Sequence, residues 1–309
     1  DDGSTAVECA LKMALQYRMQ IGESHRDRLV AFDNAYHGDT MGAASLGGVS
    51  RFFDRFRRFG MPVDFVKNLE DLRLLDAGKI AVVIIEPLIQ GVNEMHCWPS
   101  GMLRDLRAWC DAHGVHLILD EVMTGFGRTG TMFACQQEEV VPDFLCLAKG
   151  LTGGYLPLAA TLTTDAIYRA FFGREHAFYY GHSYTANPLG CAAALASLDL
   201  FETEQTMAVV QQKAAYFGTL LEKFPPQYQV RRCGMVAGIE LRQSDGSAYP
   251  PDQMMGARVC LAARNHGLLT RPIRDTIVLM PPLCSSEEEL RFAVEALQAA
   301  CSNCHHDSA

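Results

Sequence analysis

Four short runs, Arg28–Phe32, Ile80–Ile85, His116–Asp120 and Phe144–Leu147, are apolar at nearly every position instead of every second one. Continuous apolar runs of this length predict strands buried on both faces, as in a parallel sheet held between helical layers. Between the second and third runs an amphipathic stretch over 102–113, ended by Gly114, predicts a helix. A second, uninterrupted helix is predicted over 5–19, with Thr5-x-x-Glu8 as a capping box at its start. A further strand over 158–162 follows the glycine-rich Gly150-Leu-Thr-Gly-Gly154 turn. This alternation predicts an α/β fold, a mostly parallel central sheet with flanking crossover helices. From 187 to 202 runs a long helix rich in Ala and Leu, and beyond it the pattern changes. A helix to about 224, strands near 229–230 and 235–241, a helix to 266 and a strand at 276–280 suggest a smaller C-terminal α+β domain. The expected division is a large domain at 1–200 and a small one at 201–309, with 243–251 as a surface loop.

Composition narrows the function classes. A chain of 309 residues that is 49% hydrophobic buries one large core, or one large and one small. Its net charge of -9, dispersed along the chain, argues against nucleic acid and anionic membranes as partners. No apolar run reaches 18 residues, so no membrane-spanning helix is expected. The cysteines are scattered singly among apolar neighbours, which reads as small buried hydrophobes in a reduced, cytoplasmic compartment. Cys301-x-x-Cys304-His305-His306 has the look of a ligand cluster, yet there is no second cysteine pair. A frayed tail and no metal are expected there. The opening Asp1-Asp2-Gly3-Ser4 reads as the middle of a domain, so a fragment or shortened relative of a longer protein, of weak activity, is expected.

Candidate chemistry centres on Asp120 and Lys149. Taken singly, an aspartate at a strand end is more often a helix N-cap or turn residue, and a lysine there snorkels to solvent. Together they follow consecutive predicted strands, at the carboxyl edge where open α/β sheets bind ligands. Lys149 comes 29 positions after Asp120 and precedes a glycine loop. That order suits pyridoxal 5'-phosphate: a carboxylate keeps the pyridine nitrogen protonated, and a lysine amine carries the cofactor and moves the substrate's proton. Gly3-Ser4-Thr5, opening a helix, suits the phosphate. Gly181-His182-Ser183 offers a second hydroxyl-bearing loop before a helix. Either loop alone is weak evidence.

Three blocks, 33–38 (Asp-Asn-Ala-Tyr-His-Gly), 120–130 (Asp-Glu-Val-Met-Thr-Gly-Phe-Gly-Arg-Thr-Gly) and Ala148-Lys149-Gly150, resemble those of class-III (ω-type) aminotransferases. Blocks at 2–14, 147–161, 187–198 and 271–282 resemble one biosynthetic member of that family. The resemblance implies the fold-type-I architecture and a homodimer whose active sites are shared between subunits. It also implies a small-molecule amino donor and a keto acceptor. Carried onto this chain, it assigns Gly3 and Ser4 to the cofactor phosphate and Tyr36 to the ring and substrate wall. Asp120 goes to the ring nitrogen and Lys149 to the covalent link. Gly181 goes to the substrate, and His182 and Ser183 to the neighbouring subunit's cofactor phosphate. Arg271 is assigned to the far carboxylate of the acceptor, which a guanidinium binds bidentately; a surface ion pair is the competing reading. Other class-III transaminases, acting on ornithine, 4-aminobutyrate or diamines, and an inactive shortened subunit remain alternatives.

Overall fold

The computed structural model describes residues 1–306, without the side chains of Arg51, His305 and His306. Two compact units are present. The first comprises 1–90, 98–126 and 133–204; the second comprises 91–97, 127–132 and, of the described residues, 205–306.

The first unit is built on six strands: β1 (Arg28–Phe32), β2 (Val63–Val66), β3 (Ile80–Ile85), β4 (His116–Asp120), β5 (Phe144–Leu147) and β6 (Ala160–Thr163). Their order is β2-β1-β3-β4-β5-β6. All neighbours run parallel except β6, which pairs antiparallel with β5. Every residue of β3, β4 and β5 is buried, as their continuous apolar runs require. Helix α1 (Gly3–Gln20) buries Ala6, Val7, Ala10, Leu11 and Ala14, a spacing of three and four that makes one stripe. That stripe packs on alternate strand residues, Leu29 and Ala31, Val82 and Ile84, and Phe144 and Cys146, which share one sheet face. Each fully buried Val, Leu or Phe side chain contributes about 1.5–3 kcal/mol.

Two local readings are corrected. Asp2, not Thr5, is the N-cap of α1: Asp2 accepts the Thr5 N–H at 3.0 Å, and the Thr5 hydroxyl accepts the Asp2 N–H at 3.1 Å. Glu8, released from that role, accepts the N–H groups of Gly42 and Ala43 at 2.6 and 3.1 Å and so starts the next short helix. Strand β2 was not anticipated. It lies at the sheet edge and is only partly buried, with Asp64 paired to Arg28 of β1 at 2.6 Å, so no long apolar run marks it.

In the second unit, β7 (Gln229–Cys233), β8 (Val236–Glu240), β9 (Arg271–Ile273) and β10 (Thr276–Leu279) form an antiparallel sheet ordered β9-β10-β8-β7. Helices Thr206–Leu221, Met255–Arg264 and Glu287–His306 complete its core. Arg128, in the 127–132 stretch, donates to the carbonyls of Met235 and Pro281 at 2.9 and 2.7 Å, which ties that stretch to this unit. The expected frayed tail is overturned. Cys301 and Cys304 are buried in the last helix, on the face that also buries Leu290, Val294 and Leu297. Among the described residues no group of His, Cys, Asp and Glu is placed to hold a metal, and no helix is long and apolar enough to cross a membrane.

Candidate active site

Asp120 is the last residue of β4 and pairs in register with Cys146 of β5. Its carboxylate is buried and held from two sides. One oxygen accepts the Val122 N–H at 3.1 Å, and the other lies 2.7 Å from His37 Nδ1. With the carboxylate ionised, only the Nδ1–H tautomer of His37 makes this bond. The other ring nitrogen of His37 is buried without a protein partner.

The start of α1 comes against the same strand end. A methyl added to Gly3 would lie 2.6 Å from a Val122 methyl, so only glycine fits this approach, two residues beyond Asp120. The Ser4 hydroxyl accepts the Asp39 N–H at 3.1 Å, which joins the helix start to the segment that carries Tyr36 and His37. Gly3 and Ser4 precede the capped Thr5, and free N–H groups at a helix start favour an anion. Tyr36 donates its N–H to Glu86 at 3.1 Å and its hydroxyl to Asp39 at 2.9 Å. Its ring meets Phe52 edge-on at 5.8 Å. Burial, then the bond to the Asp39 carboxylate, pushes the phenol up to about 12, so it stays a donor.

Lys149 follows β5 after one intervening residue and opens a short 3-10 turn, Lys149–Thr152. Its side chain is exposed and its φ of +44° lies in the left-handed region. Asp120 and Lys149 thus stand at the carboxyl ends of neighbouring parallel strands, with the α1 start beside the first of them.

Gly181, His182 and Ser183 lie in an exposed turn, where His182 donates its N–H to Thr185 at 2.9 Å. The His182 ring lies 3.3 Å from the Asp1 carboxylate of the same chain. The helix that follows, Pro188–Thr203, buries only Gly190 and Ala194. Leu189, Leu195 and Leu200 are 72%, 63% and 53% exposed. Arg271 begins edge strand β9 of the second unit and is exposed. Two residues of the first site were given no role by the sequence. His37 lies inside a quoted motif, yet a pairing across 83 positions leaves no local mark. Glu121, next to Asp120, is fully buried and accepts the N–H groups of Ala134 and Cys135 at 2.6 and 2.9 Å.

The family model described as aminotransferase class-III matches residues 1–301. The adenosylmethionine-8-amino-7-oxononanoate aminotransferase of Nitratidesulfovibrio vulgaris is 46% identical over 97% of this chain, which spans 61% of that protein's length. The protein of the same name from Geobacter sulfurreducens is 41% identical over 96% of the chain, which spans 73% of it. Among solved structures, that aminotransferase from Methanocaldococcus jannaschii superposes with a TM-score of 0.94 at 39% identity. There, 98% of this chain covers 74% of that one. An amine transaminase from an uncultivated Pseudomonas species, solved in its PLP-bound form, gives 0.91 at 35% identity, with 98% and 76% covered. The α/β architecture is that of these PLP-dependent transaminases.

Proposed function

From the premise that this chain belongs to the class-III aminotransferases, we propose that it is a pyridoxal-phosphate-dependent transaminase with Lys149 and Asp120 as its catalytic pair. The observation that carries this reading is the placement of both at the carboxyl ends of the adjacent parallel strands β4 and β5. The surroundings fit the cofactor. Asp120 is a buried carboxylate with capacity to accept one more hydrogen bond, and Gly3 brings bare backbone to within van der Waals reach of Val122.

When bound, pyridoxal phosphate supplies an electron sink for the charge that develops as the substrate loses its proton. The chain's own groups do the rest. Asp120 holds a negative charge against the ring nitrogen and keeps it protonated, and His37 fixes the direction of that carboxylate. The amine of Lys149 takes the substrate's proton and returns it. Gly3 and Ser4 hold the phosphate through the helix start, and Tyr36 walls the substrate side.

The names of the relatives support a finer reading. An amino group passes from S-adenosylmethionine to 8-amino-7-oxononanoate, giving 7,8-diaminononanoate in biotin biosynthesis. Arg271 would take the acceptor's far carboxylate. A homodimer is supported by the exposed leucines of the Pro188–Thr203 helix beside the exposed Gly181–Ser183 turn, a surface that suits a second copy carrying His182 and Ser183 to its neighbour's site. The reading is tested by loading the protein with pyridoxal phosphate, reducing with borohydride and mapping peptides. A phosphopyridoxyl adduct on Lys149, with diaminononanoate formed from the named pair, is the expected result. An adduct confined to another lysine overturns the assignment.

A further inference from the structure

Among the non-glycine residues of the first unit that hold left-handed backbone are Lys149 at φ +44° and Phe126 at φ +56°, and the segments that carry them come into contact. Side chains rarely adopt this conformation unless their surroundings impose it. Lys149 is exposed, so its own side chain does not impose it. The contact lies one residue on. A methyl built on Gly150 would sit 2.7 Å from Phe126 Cβ and 3.0 Å from its ring, so the backbone directly after Lys149 is pressed against Phe126. Ser197 also donates its hydroxyl to the Gly150 carbonyl at 3.4 Å.

Phe126 is itself fixed. Its buried ring meets Phe133 edge-on at 5.6 Å and Phe201 at 6.4 Å. Behind it, the Glu121 carboxylate clasps the amides of Ala134 and Cys135, and the Gly125 N–H returns to the Glu121 carbonyl at 3.0 Å. The two ends of the segment carrying Phe126 are thereby joined at a buried, charged hydrogen-bonded clasp.

We propose that Phe126, held by the Glu121 clasp and wedged against Gly150, is a positioning residue that keeps Lys149 in its left-handed conformation and so fixes where its amine is presented. The inference rests on the reading above that Lys149 carries the cofactor. It accounts for three local features together: strain at the lysine, strain at the phenylalanine, and a glycine directly after the lysine where a methyl does not fit.

The test uses cofactor-loaded protein and three variants, Phe126→Leu, Phe126→Ala and Gly150→Ala. Two readings accompany turnover. One is the pH midpoint of the visible absorbance of bound pyridoxal phosphate. The other, in cofactor-free protein, is the pH dependence of acetylation at Lys149, mapped by mass spectrometry. Phe126→Ala removes the wedge and Gly150→Ala displaces it. Both are expected to move both midpoints and to slow turnover about tenfold, with substrate KM within about twofold. Phe126→Leu keeps bulk against Gly150 and should stay near the unsubstituted protein. If Phe126→Ala lowers Tm yet leaves both midpoints in place, Phe126 is core packing alone and the inference falls. Should Phe126→Ala fail to fold, Gly150→Ala decides by the same two readings. The two ideas separate cleanly. An adduct on another lysine in the unsubstituted chain overturns the role of Lys149. An adduct on Lys149 with unmoved midpoints in the variants overturns only the role of Phe126.

Discussion

His37 Nδ1 lies 2.7 Å from Asp120 Oδ2, with both side chains buried. A hydrogen bond to a charged group is worth about 1.5–3 kcal/mol, and 1.36 kcal/mol is tenfold in rate. His37→Phe, which fills the space but donates nothing, is therefore expected to lower turnover by about 10–100-fold while the cofactor still reacts with Lys149. His37→Asn, which keeps a donor, should recover part of the loss. Steady-state kcat with cofactor content measured in the same samples checks this. Unchanged turnover in His37→Phe would mean that the imidazole does not act through Asp120.

Asp120→Asn keeps the size of the side chain and an oxygen for the Val122 N–H. What it loses is the charge that holds the ring nitrogen protonated. Turnover is expected to fall on the order of 10²–10⁴-fold, with circular dichroism and borohydride labelling preserved. A variant that transaminates at nearly the normal rate would remove Asp120 from the ring.

Much of this arrangement was legible in the sequence, for reasons that differ by residue. β3, β4 and β5 are buried on both faces, so their burial appears as unbroken apolar runs, and Asp120 and Lys149 are conspicuous as the charges that end such runs. β2 was hidden because an edge strand needs no such run. The start of α1 was misread because Thr5 suits both an N-cap and an N3 position, and only the Asp2 side chain decides between them. The C-terminal cysteines looked like a polar tail because their neighbours Ser302 and Asn303 are polar. A helix turns those two outward and Cys301 and Cys304 inward. Pairings such as His37 with Asp120, and Phe126 with Gly150, join distant positions, and no local pattern marks them.

Sharing of active sites between subunits has a direct genetic test. A Lys149→Ala chain and a His182→Ala/Ser183→Ala chain are each expected to be nearly inactive. In a mixed dimer one site would take Lys149 from one chain and the intact turn from the other. Co-expression should therefore restore about a quarter of normal activity, since half of randomly formed dimers are mixed and each holds one intact site. Sedimentation should show a dimer. No recovery on mixing, or a fully active monomer, would place the His182–Ser183 turn outside any shared site.

His116, at the start of β4, is a buried group through which acid weakens the fold. Burial first, and then the charge of Arg18, lower its pKa from 6.5 to about 4, with Arg107 adding to the lowering while Asp143 and Glu23 oppose it. The ring is packed edge-on between Tyr17 at 4.9 Å and Phe144 at 5.8 Å, and its Nδ1 is buried without a partner. The sign follows from the direction of the shift. Between pH 6.5 and about 4 the unfolded chain binds a proton at His116 that the folded chain refuses. The stability from the neutral ring is thus fully present above 6.5 and is lost as pH falls toward 4. The difference amounts to up to about 3 kcal/mol. Glu121 works the other way, because burial raises its carboxyl and the folded state then favours protonation. The His116 contribution is best isolated as a difference between two chains. His116→Phe keeps an aromatic ring between Tyr17 and Phe144 and cannot take up a proton. In urea unfolding it is expected to match the unsubstituted protein to within about 1 kcal/mol at pH 7.5, and to exceed it by about 2–3 kcal/mol near pH 4.5. Parallel stability curves for the two chains across that range would show that His116 does not carry the acid sensitivity.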